Sequence, residues 1–268
     1  MSQQQTKPPV AVTGAGAGIG HAIAKAFAVA GYPVAIIDLD GGKAEHVATA
    51  LSGETGVKTI GVYADVADSA SSKEAHGAIE ASLGPVSVMI NNAGIMPQKK
   101  GWIEELPEAD FDRMLDIHVR GSVVWSRLVL PGMRASGFGR IINMSSANAA
   151  LAVPHRLGYV TAKKAILGLT ESLALDCARA GITVNAILPG YILTETLAER
   201  AEHGILNKKD YGERTPVGRW GRPEEIARVA LFLADSASSF ITGAKFVIDG
   251  GLTIRGDPGE DLDTSPSA

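Results

Sequence analysis

The sequence predicts an α/β fold, a doubly wound parallel sheet of about seven strands with helices on both faces. Three observations predict it. Short apolar runs alternate with helix-length amphipathic stretches along the chain, the rhythm of right-handed βαβ units. The strand candidates are continuous apolar runs rather than alternating ones, as expected of a sheet buried on both faces. No composition break and no internal repeat divides the 268 residues, so a single domain, with its core at about 10–252, accounts for the length.

The first strand candidate, 10–13, runs into Thr13-Gly14-Ala15-Gly16-Ala17-Gly18-Ile19-Gly20, which opens a helix over 19–30. Glycine lets the backbone turn sharply and approach a pyrophosphate, and a helix N-terminus offers free amides and partial positive charge. The spacing is G-x-x-x-G-x-G rather than G-x-G-x-x-G, so taken alone the loop is weak evidence, with a plain strand-to-helix turn as the lesser alternative. The second strand, 34–38, ends Ala35-Ile36-Ile37-Asp38, with Leu39 next. Asp38 stands 18 residues after Gly20, near the spacing at which a Rossmann-type fold places a carboxylate on the adenosine ribose. It would repel a 2′-phosphate, and the neighbouring sequence holds no Arg or Lys to compensate; NAD is therefore the expected cofactor.

Helices follow at 42–51, 70–83, 108–134, 158–180 and 223–233, and strands at 59–64, 86–91, 140–144, 183–188 and 244–248. Two segments break the rhythm. Residues 190–220 are long and mostly polar, which predicts a functional loop over the substrate. Residues 255–268 are acidic and rich in Pro, Ser and Asp, which predicts a solvated C-terminal tail.

Composition excludes several functions. A net charge of −4 leaves no basic field to hold nucleic acid or an anionic membrane. The one cysteine, Cys177, forms no disulfide within the chain and no multi-cysteine metal site, so no metal is expected. It suits a reducing compartment. The polar start at 1–9 has no secretory apolar region, and no run reaches membrane-spanning length. A cytoplasmic protein is expected.

Tyr159 and Lys163 lie four apart on one face of a predicted helix. A cation beside a phenol lowers its pKa, so Tyr159 would exchange a proton with an alcohol near neutral pH. Ser146 lies 13 residues before Tyr159, just past a strand end. Such a serine is often a turn residue, and Tyr-x-x-x-Lys alone is common.

The conjunction is not. The glycine loop, Asp65-Val66, Asn91-Asn92-Ala93-Gly94, Ser146, Tyr159-x-x-x-Lys163, Pro189-Gly190-x-x-x-Thr194, Gly221-Arg222-Pro223-Glu224-Glu225 and Asp249-Gly250-Gly251 occur in one order at one set of spacings. Together they resemble the short-chain dehydrogenase/reductase family from about Val10 to Leu252. The resemblance implies an enzyme interconverting a secondary alcohol and a ketone with NAD. Gly14, Ala17, Gly18, Ile19 and Gly20 would hold the pyrophosphate, and Asp38 and Leu39 the adenosine. Asp65 and Val66 would bracket the adenine. Asn92, Ala93 and Gly94 would line the path to the nicotinamide ribose; Pro189, Gly190, Ile192 and Thr194 would hold the carboxamide end. Tyr159 would be the general acid/base, Lys163 would bind the ribose and tune Tyr159, and Ser146 would bond the substrate oxygen.

One position departs from the family pattern. Where an Asn is usual in the helix after the fourth strand, this chain has His118 within Asp116-Ile117-His118-Val119-Arg120-Gly121. Imidazole can donate and accept, so His118 fits a proton relay from Lys163; it fits equally a packed histidine with one satisfied nitrogen. The substrate pocket is expected from 95–102, 148–156 and 191–218, which include Lys99, Lys100, Trp102, His155, Arg156 and Tyr191. Polar and basic members there suit an acidic or hydroxylated substrate, or face solvent. A 3-oxoacyl-type reductase shares these motifs, but most such enzymes use NADP, against Asp38. A non-catalytic NAD-binding protein would not need Ser146, Tyr159 and Lys163. Apolar Val123, Val124, Trp125, Leu167 and Leu169 exceed what one sheet can cover, and the resemblance implies paired helices; a homotetramer is expected.

Overall fold

The computed structural model describes residues 7–97, 101–203 and 208–255. Lys99, Lys100 and all but the first residue of the 255–268 tail lie outside the described residues.

Seven parallel strands form one sheet in the order β3-β2-β1-β4-β5-β6-β7. They are β1 (Val10–Thr13), β2 (Val34–Asp38), β3 (Thr59–Tyr63), β4 (Val88–Asn91), β5 (Gly139–Met144), β6 (Ile182–Pro189) and β7 (Lys245–Ile248). β1, β4, β5 and β6 are buried at every position, and β2 at all but Asp38. The continuous apolar runs explain that. The two edges differ: β3 is only partly buried and β7 alternates between exposed and partly buried residues. An edge strand has a neighbour on one side only, so its outer positions are less covered.

The helices are α1 (Gly18–Val29), α2 (Gly41–Thr55), α3 (Ser69–Leu83), α4 (Glu108–Leu115), α5 (Gly121–Ser136), α6 (Leu157–Cys177), α7 (Glu195–Glu202), α8 (Lys208–Glu213) and α9 (Pro223–Ala234). α1, α2 and α9 pack on one face around Ile23, Phe27, Val47, Leu51, Ile226 and Leu233. α3, α5 and α6 cover the other around Ile79, Trp125, Val129, Met133 and Ala174. Strand residues divide between the faces by their period of two: Val10 and Val12 join the first core and Ala11 the second. Each large side chain so buried contributes about 2–3 kcal/mol.

Two expectations need correction. The segment 190–220 is not a plain loop, since it carries α7 and α8; in α7 Glu195, Thr196, Glu199 and Glu202 are exposed, which accounts for its polarity. The helix expected over 108–134 is interrupted by a π-helical turn, Asp116–Arg120, and the Ser122 hydroxyl donates to the His118 carbonyl at 2.7 Å beside it. Among the described residues no helix is long and apolar enough to cross a membrane.

The strand order reverses direction between β1 and β4. The chains leaving the carboxyl ends of these strands diverge there, and the crevice between them is where α/β sheets bind ligands.

Candidate active site

β1 delivers the chain into a cradle at that crevice. α1 starts after Ala17, which offers no side-chain cap, and its first turn has no acidic residue. Such a start suits an anion. Gly14 and Gly18 are left-handed, with φ of 62° and 58°. At Gly20 a Cβ would overlap the Gly14 carbonyl oxygen and stand 2.5 Å from Asn92 Nδ2. Thr194 closes over the loop from above: its Cγ2 is 3.2 Å from where a Gly18 Cβ would lie. The Gly18 N–H donates to Glu195 Oε2 at 3.4 Å. These features fit the pyrophosphate of a dinucleotide, because the backbone is bare where the ligand would approach.

Asn92 holds the cradle in shape. Its Nδ2 donates to the carbonyls of Thr13 at 2.9 Å and Gly14 at 3.1 Å. The N–H groups of Asn92 and Ala93 both donate to Thr13 Oγ1 at 3.0 Å. The path-lining role expected of Asn92 is thereby corrected for its side chain, which is turned into the loop because the loop carbonyls need donors. At the far end the Gly190 N–H donates to the Ile248 carbonyl at 2.9 Å, following the Pro189–Ile248 pairing. Ile192 is buried in the core and bridges Gly221, so only its backbone is available to a carboxamide.

The adenosine end is built on Asp38. Its Oδ2 accepts from Gly16 N–H at 2.8 Å and its Oδ1 from Asp40 N–H at 3.0 Å. The cap of α2 is Asp40, which accepts from Lys43 N–H at 3.0 Å, so Asp38 is free of that task. The expectation of no basic neighbour is corrected. The first turn of α2 carries Lys43 to the glycine loop, with its Cβ 3.3 Å from a Cβ built on Gly16 and its ammonium 3.8 Å from Asp40 Oδ2. Leu39 is 58% exposed and offers an apolar surface beside Asp38. Asp65 Oδ1 accepts from Ala67 N–H at 2.9 Å, while Val66 packs into the core.

Ser146 follows β5, and Tyr159 and Lys163 occupy the first two turns of α6. Ser146 Oγ accepts from Asn148 N–H at 3.1 Å, and Ser146 lies near enough to the Tyr159 phenol to lower its pKa. Lys163 is buried, with Nζ donating to the Met144 carbonyl at 2.8 Å and lying 5.7 Å from the Tyr159 ring centroid. Burial pushes Lys163 down to about 7. Burial also pushes the Tyr159 phenol up, outweighing Ser146 and the Arg156 charge, which both pull it down. The expectation of a phenol lowered by Lys163 is thus corrected for the protein alone. Desolvation dominates, and Lys163 is itself half-discharged near neutrality.

His118 lies on the π-turn, almost fully buried, with its ring edge-to-face on Tyr159 at 5.6 Å. Its Nε2 sits between the backbone of Ile95, 3.2 Å from N and 2.9 Å from O. Nδ1 is buried without a partner. Burial first, and then the Lys163 charge, push its pKa down to about 3, so the ring is neutral at working pH.

The rim combines three segments. Trp102 meets His155 edge-to-face at 4.5 Å. Tyr191, Tyr211 and Trp220 form an aromatic cluster with centroids 4.8–5.9 Å apart. Arg156 is partly buried, and its Nε has no partner.

Comparison with known proteins decides the family. A family model described as enoyl-(acyl carrier protein) reductase matches residues 14–253. The chain is 36% identical to 2-(S)-hydroxypropyl-CoM dehydrogenase 3 of Xanthobacter autotrophicus, over 94% of this chain and 99% of that one. It is 38% identical to D-threitol dehydrogenase of Mycolicibacterium smegmatis, over 91% and 92%. The chain belongs to the short-chain dehydrogenase/reductase family. A crystal structure of gluconate 5-dehydrogenase from Burkholderia cenocepacia, in complex with NADP and tartrate, superposes with a TM-score of 0.85 at 34% identity, covering 92% of this chain and 96% of that one.

This short-chain dehydrogenase/reductase also uses residues that the sequence reading left without a role. Asn91 Nδ2 donates to Asn143 Oδ1 at 2.8 Å, and Asn143 Nδ2 donates to Thr170 Oγ1 at 3.0 Å. This buried polar line ties β4 and β5 to α6. The signal was available: a polar residue inside an apolar strand needs a partner. Ser145 Oγ donates to the Lys163 carbonyl at 2.7 Å, a contact for which neighbouring Ser146 gave no cue.

Proposed function

We propose that the chain interconverts a secondary alcohol and a ketone with NAD(H), with Tyr159 as general acid/base. The observation that carries this reading is the convergence of Ser146, Tyr159 and Lys163 beside the glycine cradle. The family is one of oxidoreductases with a nicotinamide cofactor, and relatives named for D-threitol and gluconate act on hydroxyl groups.

A bound nicotinamide would supply the hydride chemistry. The chain would supply position and the proton. Residues 14–20, with Ala17 and Ile19 at the start of α1, and Thr194 would hold the pyrophosphate; Asp38, Leu39, Asp65 and Val66 the adenosine; Ala93, Gly94, Pro189, Gly190 and the Ile192 backbone the nicotinamide side. Ser146 would hydrogen-bond the substrate oxygen, and the Tyr159 hydroxyl would take or give its proton. Lys163 is fixed on Met144 and is cationic below about pH 7; there its charge favours the phenolate. His118, with Nδ1 unpaired, is proposed to pass protons between Lys163 and solvent through water. Rates of His118→Ala that match wild type across pH would end that role.

The preference for NAD rests on the Asp38 carboxylate, whose charge opposes a 2′-phosphate. Lys43 and the NADP-bound relative favour the second reading, NADP(H). One assay tests cofactor and chemistry together: absorbance of reduced nicotinamide over a panel of secondary alcohols, with NAD and NADP side by side. The expected result is at least about tenfold higher kcat/KM with NAD, a difference of about 1.4 kcal/mol. Tyr159→Phe should lower kcat by about 10²–10⁴-fold. An unchanged rate in Tyr159→Phe would reject the mechanism.

We take the chain as one cofactor-binding and catalytic domain, with 190–220 over the substrate and 255–268 a tail. One buried free cysteine suits the cytoplasm. A homotetramer is proposed from a groove of about 420 Å³ between α5 and α6, lined by Val123, Leu130, Leu169 and Leu173 with Arg127 and Arg134. Val124 and Trp125, counted toward that face from sequence, instead pack into the chain's own core. Light scattering at micromolar concentration should give four times the 27.8 kDa chain mass; a monomer would reject the assembly.

A further inference from the structure

Arg156 carries one donor, Nε, that the fold leaves without an acceptor. It is the N-cap residue of α6, three residues before Tyr159, and gives that helix no side-chain cap. Its Nε is withdrawn from solvent with no hydrogen-bond partner. Among the described residues no carboxylate pairs with it, whereas Arg120, Arg219 and Arg222 each have one. Arg140 shows the contrast: it is buried, and its guanidinium donates to the carbonyls of Gly139, Gly181, Asp235 and Ser236. A guanidinium N–H left without an acceptor is costly, and Arg156 stands three residues before Tyr159 at the start of α6.

Its placement is fixed. The residue before it, His155, has φ 61°, a left-handed backbone that a residue with a Cβ rarely adopts. Trp102 packs edge-to-face on that histidine at 4.5 Å, tying the segment before α6 to the segment after β4. The Arg156 side chain departs from this braced corner, and its charge reaches the Tyr159 phenol. A group bridging Arg156 and Tyr159 would therefore be anionic at one end and hydroxylated at the other.

We propose that Arg156 is a specificity-determining residue, and that it takes a carboxylate carried by the secondary alcohol. The substrate is then a hydroxy acid whose carbinol oxygen meets Ser146 and Tyr159 while its acid end meets the guanidinium. This rests on the reading of the site as an alcohol–ketone centre. The planar guanidinium matches a carboxylate with two parallel hydrogen bonds, which an ammonium does not reproduce. A second consequence is electrostatic. Once a carboxylate answers the Arg156 charge, that charge no longer helps ionise Tyr159. The pH midpoint of alcohol oxidation then lies higher for a hydroxy acid than for its methyl ester.

The test uses a β-hydroxy acid and its methyl ester with wild type, Arg156→Gln and Arg156→Lys at saturating cofactor. Wild type is expected to favour the acid in kcat/KM by about 10- to 100-fold. Arg156→Gln should erase that ratio and the difference in pH midpoint, and Arg156→Lys should restore part of the ratio. In parallel, succinate, which has no carbinol, is titrated calorimetrically into NAD-loaded wild type and Arg156→Gln; binding by wild type alone is expected. Equal use of acid and ester by wild type overturns the proposal. So does an unchanged ratio in Arg156→Gln, or succinate binding indifferent to the substitution. If neither substrate turns over but succinate binds only with Arg156 present, the anion site stands and the alcohol–ketone reading falls.

Discussion

His118 is held in one protonation state by its surroundings. Its folded pKa of about 3 lies below the ordinary 6.5. Between those values the unfolded chain binds a proton that the folded chain refuses, so stability falls as pH drops through that window. The loss is on the order of a few kcal/mol over the full window. His118→Asn keeps a group able to bond the Ile95 backbone but removes the titration. Urea midpoints at pH 7, 5 and 4 should therefore fall less steeply in that variant. Parallel falls in variant and wild type would assign the acid sensitivity elsewhere. Tyr159, Lys163 and Ser146 could be singled out in the sequence because they occur together with the glycine loop and the other motifs in one order, not by their own spacing. Their proton affinities could not be read there, because desolvation depends on what covers them, and spacing says nothing of cover.

At the scale of elements, the π-turn and the segment after β4 interlock. A Cβ on Gly94 would overlap His118 Cε1 and lie 2.8 Å from Nδ1. Gly94→Ala therefore displaces the ring from Ile95 or strains the turn, at a cost of about 1–3 kcal/mol. A thermal melt with a midpoint unchanged from wild type would show that the contact yields freely. The strands were read well from sequence, because five of them are buried at nearly every position and so are written in unbroken apolar runs. The π-turn was not, since a single extra residue in a helix leaves the apolar period almost unaltered. α7 and α8 were missed for the opposite reason: they cover little core and so show little apolar period.

For the whole molecule, the two ends of the strands divide the work. The carboxyl ends of the strands hold the candidate site. At the other end Arg140 binds four carbonyls from β5, the turn before β6 and the end of α9. Arg140→Met strips those carbonyls of a donor far from the site. It should lower stability by about 2–4 kcal/mol and leave KM as in wild type. A large rise in KM without loss of stability would contradict this division. The parallel, doubly wound character of the sheet followed from the alternation of strands and helices together with the glycine loop; the strand order itself comes from the structure. The approach of Lys43 to the glycine loop at Gly16 was not legible, because it depends on how one helical turn folds back over a loop.

The tie between Lys163 and Met144 has a bearing on how such a protein tolerates change. The lysine donates to a main-chain carbonyl, and Ser145 donates to the main-chain carbonyl of Lys163. Every residue type supplies that oxygen. Mutation at 144 can alter packing but cannot delete the acceptor, and the same holds for the oxygen that Lys163 offers to Ser145. The anchoring of the centre is thus insulated from most random substitutions. The rim contacts at Trp102 and His155 are made by side chains instead, so a substitution there removes the contact itself, and the rim is the more open of the two regions to change by mutation.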